Sequence, residues 1–214
     1  AVIFSHGHLD HIGAAPILLK KLGNPQIIGR PLTIEMIKHR QEDMQKNSAK
    51  KLNPRYVKSI NEKIKLGNFE LSFFAIDHAI IDAVGVILQT PVATVIHPGD
   101  WTIEKKPIGR KELDYTHLVK LRRPTILMLE SLGSLKTEEP VTEEEMLKNL
   151  HHLISTSPGR TIIATFSSQI ERIKQIVEFA AKTNRKVALD GFSMKLNIEL
   201  AQKLGYIKIP KGKT

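Results

Sequence analysis

The sequence His6-Gly7-His8-Leu9-Asp10-His11-Ile12-Gly13 decides how the rest of the chain is interpreted. Its three imidazoles and one carboxylate are ligands that Zn²⁺ and similar cations accept, and they fall within six residues. Residues spaced in this way would arise by chance roughly 5 × 10⁻⁴ times in a shuffled chain of this composition. Glycine at position 7 lets the backbone turn between the ligands. The segment therefore predicts a metal site.

The pattern of apolar residues around this motif predicts an α/β protein whose character changes near residue 140. Strands are predicted at residues 1–4, 26–29, 69–76, 83–88, 93–96, 125–129, 161–165 and 186–189. Helices are predicted at residues 12–22, 32–51, 170–180 and 193–204, and after the capping box that Thr142 and Glu145 form. The earlier strands look mainly antiparallel, and the strand at 125–129 has the composition of a buried one. The later alternation of strands and helices predicts a small parallel layer.

Composition and charge narrow the possible functions. The net charge is +10, and +7 of it lies in residues 151–214, which carry 11 basic and 4 acidic residues. Such an excess favours polyanions, although a solvated lysine-rich surface explains it equally well. Aromatic residues make up 5%, which argues against extensive base stacking. With no cysteine and no long apolar run, thiolate zinc sites and membrane spans are excluded, and we expect a cytoplasmic protein.

The metal motif resembles the signature of the metallo-β-lactamase superfamily, whose members hold two metals between two β-sheets. The resemblance implies two further ligands, each at the end of a predicted strand: His78 in Asp77-His78-Ala79, and Asp100 in His97-Pro98-Gly99-Asp100. It assigns one metal to His6, His8 and His78, the other to Asp10 and His11, and Asp100 to both. The implied cofactors are two divalent cations, Zn²⁺ first, with Mn²⁺ or Mg²⁺ as alternatives.

Four later segments resemble the β-CASP nucleases of the ribonuclease J family. They are His78–Asp82, Leu127–Ser131, Thr165–Arg172 and Gly191–Met194, which occur in the family's order. The resemblance implies that Glu130 orients a catalytic histidine and that Asp10 orients the attacking water. This sequence departs from the family's pattern at Phe192, where the family has an arginine.

Three residues of the later segments are candidates for binding a nucleic acid. Ser167 and Ser168 precede a predicted helix, where hydroxyls and free backbone N–H groups can bind a phosphate. Arg172 lies one turn into the same helix. The alternative is that the serines are ordinary helix caps and the arginine is solvated.

These observations predict a metal-dependent ribonuclease that hydrolyses RNA phosphodiester bonds. Two cations about 3.5–4 Å apart lower the pKa of a water and stabilise an anionic transition state. The expected partner is single-stranded RNA, with exonuclease and endonuclease modes both open. One alternative is a small-molecule hydrolase of the lactonase type, against which residues 140–214 argue. A second is a nucleic-acid-binding β-CASP subunit without catalysis.

The predicted fold is an incomplete metallo-β-lactamase αββα sandwich in residues 1–140, with its N-terminal strands missing, and a partial, inserted, parallel α/β β-CASP domain in residues 141–214. Because the chain begins at Ala1, directly before a motif, we expect an internal piece of a longer protein that binds metal weakly on its own. The resemblance implies two later histidines, one completing the second metal site and one acting as general acid. Whether the longer protein forms a homo-oligomer stays open.

Overall fold

A computed structural model describes residues 1–103, 111–137 and 141–209. They divide into two compact units, the first containing the candidate metal ligands and the second built around residues 141–209. The predicted boundary near residue 140 stays a prediction, and residues 210–214 of the predicted second domain lie outside the described ranges. None of the helices in those ranges is long and apolar enough to cross a membrane.

The first unit opens with a three-stranded sheet of β1 (Val2–Ile3), β2 (Gln26–Gly29) and β3 (Asn53–Tyr56), in that order. Both pairings are parallel, so the prediction of mainly antiparallel strands is wrong for this sheet. The reason lies in the connections, because parallel neighbours need a crossover and helices supply it. These helices are α1 (Leu9–Ile12) and α2 (Ala15–Lys21) before β2, and α3 (Pro31–Met44) before β3.

The second sheet has five strands in the order of the sequence. They are β4 (Ile64–Leu66), β5 (Phe69–Ala75), β6 (Val84–Gln89), β7 (Thr94–His97) and β8 (Thr125–Leu127). The first four pair antiparallel, and β8 pairs parallel to β7 after a connection that includes a 3-10 helix at Thr116–Lys120.

The alternating side chains of β2 show how the layers pack. Ile27 faces a core cluster with Ile12, Leu19 and Ile34 of the helices, whereas Ile28 packs with Leu71 and other residues of the second sheet. On its other face the second sheet packs against the 3-10 helix through Leu118 and neighbouring side chains. The first unit thus has the helix–sheet–sheet layers expected of the predicted sandwich.

The second unit contains three helices: α4 (Glu143–Thr156), α5 (Ile170–Lys182) and α6 (Phe192–Lys203). Thr142 is confirmed as the N-cap of α4, because its hydroxyl accepts a hydrogen bond from the backbone N–H of Glu145 at 3.2 Å, which is one of the two bonds of a capping box. Helix α5 buries one stripe of side chains at helical spacing, namely Ile170, Ile173, Ile176, Val177 and Ala180.

Two predicted strands of the second unit are wrong in the described residues. Residues 161–165 and 186–189 line one cavity, yet neither forms a β-ladder. A run of β-branched residues suits an extended chain, but a strand also needs a neighbouring backbone in register. Both segments are largely exposed, with Ile162 at 89%. Of the parallel α/β layer predicted here, the described residues therefore form the helices but not the strands.

Three further predictions about single elements need correction. The helix predicted at 12–22 is two helices, because α1 begins inside the metal motif and ends at Gly13. The helix predicted at 32–51 ends at Met44 and is followed by a 3-10 turn and β3. Strand β8 ends at Leu127, lies at the edge of its sheet, and has exposed rather than buried side chains.

Gly85 fits the second sheet through a close contact. It pairs with Phe74 of β5, and a Cβ at position 85 would lie 2.1 Å from the Phe74 ring. The ring is buried, at 3% exposure, so it has little room to move.

We expect Gly85→Ala to lower the free energy of unfolding of the first unit by about 1–3 kcal/mol through overpacking. Urea unfolding followed by circular dichroism measures the change. In a Phe74→Leu background the same alanine should cost much less, because the clashing ring is gone. Equal losses in both backgrounds would show that the ring contact is not the cause.

Candidate metal centre

His6 lies at the centre of the site, directly after β1. The backbone carbonyl of the preceding Ser5 accepts a hydrogen bond from Val84 N–H at 3.0 Å, which joins this segment to the second sheet. The His6 side chain has no exposed surface, and its Nδ1 lies 3.0 Å from the Ser5 hydroxyl. Its Nε2 is buried and has no hydrogen-bond partner among the described residues. A buried nitrogen without a partner is costly unless a cation takes that position.

The first donor group consists of His6, His8 and His78, whose ligand atoms all lie within 4.8 Å of one another. His8 Nδ1 and His78 Nε2 are 2.9 Å apart. His8 precedes α1 and His78 follows β5, so the group joins residues that are 70 positions apart in the chain. Three imidazole nitrogens at this spacing fit one Zn²⁺ or a similar cation.

The second donor group consists of His6, His11 and Asp100, again within 4.8 Å. His11 Nε2 lies 3.2 Å from Asp100 Oδ2 and 3.5 Å from Asp10 Oδ2. Two carboxylate oxygens therefore converge on one imidazole nitrogen, which favours a cation at that point. Asp10 itself lies at the rim, with 75% of its side chain exposed, and is not part of the compact group.

The close packing of imidazoles keeps them neutral. Burial, followed by the neighbouring imidazoles of His11, His78 and His8, lowers the pKa of His6 to about 3. Burial also lowers the pKa of His8 and of His78 below the usual value for histidine. A neutral imidazole is the form that ligates a metal, so these nitrogens are available at pH 7.

Asp100 reaches the site because the loop after β7 lies close to the β1 segment. Gly99 has a φ of +73°, and a Cβ there would lie 2.9 Å from the Ser5 hydroxyl. The Gly99 N–H donates to His97 Nδ1 at 3.0 Å, so His97 supports the loop instead of joining either donor group. The residue types and spacing of both groups fit two divalent cations, with His6 adjacent to both.

Glu130 lines a cavity of about 610 Å³. Asp100 lines the same cavity, together with the loop from Ser131 to Lys136. The Glu130 carboxylate accepts a short hydrogen bond from the Leu132 N–H, which holds it in this loop. The structure therefore places one predicted catalytic residue, Glu130, beside one predicted metal ligand, Asp100.

The predicted nucleic-acid contacts lie in the second unit. Ser167 and Ser168 occupy the turn that leads into α5, and Arg172 lies in the first turn of that helix. All three side chains are partly exposed. Asn197 of α6 donates to the Ser167 carbonyl at 3.0 Å. Their role in binding stays a prediction, as does the assignment of the metal ligands.

Arg30 and Asp82 were missed as supporting residues. Arg30 Nε donates to Asp82 Oδ1 at 2.6 Å, and Arg30 Nη1 donates to the Val57 carbonyl at 2.8 Å. The other Asp82 oxygen accepts from Leu32 N–H at 2.9 Å, at the start of α3. Asp82 has a φ of +77° and lies four residues after His78, so its fixed position limits the loop that carries this ligand. The only sequence signal was Asp82 itself, in the segment that resembles the ribonuclease J family.

Comparison with known families agrees with this geometry. Residues 1–139 match the metallo-β-lactamase superfamily, and the chain belongs to that superfamily. Residues 158–214 match the β-CASP domain of ribonuclease J. The resemblance inferred from the motifs is thereby confirmed, and the fold is a metallo-β-lactamase sandwich accompanied by β-CASP sequence.

Curated relatives named ribonuclease J match nearly the whole chain. The protein from Helicobacter pylori is 33% identical over 98% of this chain, which spans 30% of the relative. Ribonuclease J of Thermus thermophilus is 31% identical over 98% of this chain and 37% of its own length. Ribonuclease J 1 of Streptococcus pyogenes is 34% identical over 99% of this chain and 37% of its own length. The chain thus spans about a third of the length of these relatives.

A solved structure shares the fold. The crystal structure of a protein of unknown function from Enterococcus faecalis covers 97% of this chain and matches it with a TM-score of 0.69. The match spans 49% of that chain, at 22% sequence identity.

His6 belongs to both donor groups, so its removal should weaken metal binding at both. In isothermal titration with Zn²⁺, His6→Ala should weaken the tighter site by at least about 100-fold, more than the loss of a residue that only supports a ligand. His39→Ala is the matched control, because His39 lies on α3 and pairs with Asp43. Zinc binding that His6→Ala leaves unchanged would refute the assignment.

The Arg30–Asp82 pair should stabilise the first unit. Asp82 is fully buried and Arg30 is 17% exposed, so Asp82→Asn leaves a largely buried guanidinium without its charge partner. We expect the free energy of unfolding to fall by about 3 kcal/mol in urea titrations. Glu62→Gln removes the more exposed Arg55–Glu62 pair and should cost less than about 1 kcal/mol. Equal losses would argue against a special role for Asp82.

Proposed function

We propose that the protein is a metal-dependent ribonuclease that hydrolyses phosphodiester bonds of single-stranded RNA, with two zinc ions as cofactors. The observation that carries this proposal is the pair of adjacent donor groups around His6, one of three imidazoles and one that adds a carboxylate. When two cations are bound, they supply an acidic water and charge stabilisation for an anionic phosphorus centre. We place the activity in the cytoplasm.

The residues of this chain have distinct tasks in the proposed reaction. His6, His8 and His78 would hold the first cation and His11 the second, with Asp100 available to both. Asp10 is the exposed carboxylate next to His11, so it can accept a hydrogen bond from the attacking water and direct it at phosphorus. Glu130 lines the same cavity as Asp100, where it can orient a group that protonates the leaving oxygen.

RNA is the favoured substrate because of residues in the second unit. The β-CASP match covers residues 158–214, and residues 151–214 carry 11 basic against 4 acidic groups. Ser167, Ser168 and Arg172 offer hydroxyls and a guanidinium to phosphates. A small-molecule hydrolase has no use for this basic region, which disfavours that alternative.

Asp10→Ala should abolish RNA cleavage by the protein expressed from its full reading frame. The expected loss in rate is at least about 100-fold, because the side chain acts on the attacking water. The assay is cleavage of a labelled single-stranded RNA with added Zn²⁺ or Mn²⁺.

Asp43→Ala is the control, because Asp43 lies on α3 and pairs with His39 outside the donor groups. It should retain the native rate within about twofold, since surface changes of this kind have small effects. Undiminished cleavage by Asp10→Ala would remove Asp10 from the mechanism. Absence of cleavage by the native protein would contradict the proposed function itself.

A further inference from the structure

Two phenylalanines of the second unit are exposed near the starts of α5 and α6. Phe166 is 77% exposed and lies in the turn before α5, and Phe192 is 72% exposed and is the first residue of α6. Each ring therefore presents a large apolar area at the surface of the second unit. We call Phe166 and Phe192 the aromatic pair.

A buried side chain ties the two helix starts together. Asn197 of α6 is 5% exposed, and its Nδ2 donates to the Ser167 carbonyl at 3.0 Å. Ser193 lies one turn earlier on the same face of α6, next to Phe192 in sequence. The start of α6 therefore lies beside the turn of residues 166–169. Phe166 and Phe192 therefore lie on neighbouring segments of the second unit.

The charge around the aromatic pair favours a polyanion. Within the described residues Arg172 forms no ion pair, and it lies in the first turn of α5, which follows the turn of Phe166 and Ser167. The surrounding region, residues 151–214, carries a formal charge of +7. An apolar protein segment would gain nothing from this charge, whereas a nucleic acid would use the rings and the charge together.

We propose that the aromatic pair is a stacking site for the bases of single-stranded RNA, an inference that rests on the proposed ribonuclease function. A phenyl ring can stack on any base, so the site holds RNA without reading its sequence. Two rings can stack on only one or two bases. A site of this size is consistent with the aromatic content of 5%, which argues against extensive base stacking.

The test separates stacking from charge by using two probes with the same backbone. The 214-residue chain is titrated, with EDTA present to prevent cleavage, into a labelled oligoadenylate of about 12 nucleotides and into an abasic ribose-phosphate of equal length. The double variant Phe166→Leu, Phe192→Leu should bind the oligoadenylate about 10- to 100-fold more weakly, the loss expected for one or two stacks. Its affinity for the abasic probe should change by less than about twofold.

Two controls guard against indirect effects. Phe69→Leu changes a 45% exposed phenylalanine of the first unit and should leave both affinities unchanged. Phe192→Tyr keeps a stacking ring and should retain the native affinity for the oligoadenylate. Circular dichroism verifies that each variant is folded.

The outcomes distinguish this inference from the proposed function. If the native chain binds the oligoadenylate and the double variant binds it equally well, the stacking site is refuted and the function stands. Equal losses on both probes also refute stacking. A native chain that binds neither probe refutes RNA as the substrate along with the stacking site.

Discussion

The structure depends on holding four imidazoles and a carboxylate in contact with one another. Burial lowers the pKa values of His6, His8 and His78, which favours the neutral form of these three imidazoles. His6 shows this constraint most directly, because burial and its neighbours lower its pKa to about 3 and its Nε2 has no partner in the described residues. Both sheets contribute to the cluster, β1 through His6 and the ends of β5 and β7 through His78 and Asp100. The sandwich thus brings together the three chain segments that follow β1, β5 and β7.

Close backbone approaches make this convergence possible. Gly99 turns the loop after β7 against Ser5, and Gly85 leaves room for the Phe74 ring inside the second sheet. The buried pair of Arg30 and Asp82 connects the loop after His78 to the start of α3 and the end of β3. These contacts contain no candidate metal ligand, yet each fixes a segment that carries one. The positions of the ligands therefore follow from the packing of the first unit.

The sequence was most informative where the chemistry is local. The motif from His6 to Gly13 is contiguous, and its residue types predict ligands whatever the fold around them. Resemblance supplied His78 and Asp100, which no local pattern would select. Arg30 could not be predicted, because its role depends on Asp82, 52 residues away. Residues 161–165 and 186–189 were predicted wrongly as strands, because a ladder depends on a partner backbone that composition does not reveal. The exposed position of Asp10 also depends on how α1 sits in the fold.

Diffraction at the zinc absorption edge from crystals of the zinc-loaded chain tests the account most directly. Two bound zinc ions should give two anomalous peaks about 3.5–4 Å apart. One peak should lie about 2.0–2.1 Å from nitrogens of His6, His8 and His78, and the other should contact His11 and Asp100. Zinc bound only elsewhere, with these five side chains keeping their present mutual contacts, would contradict the account.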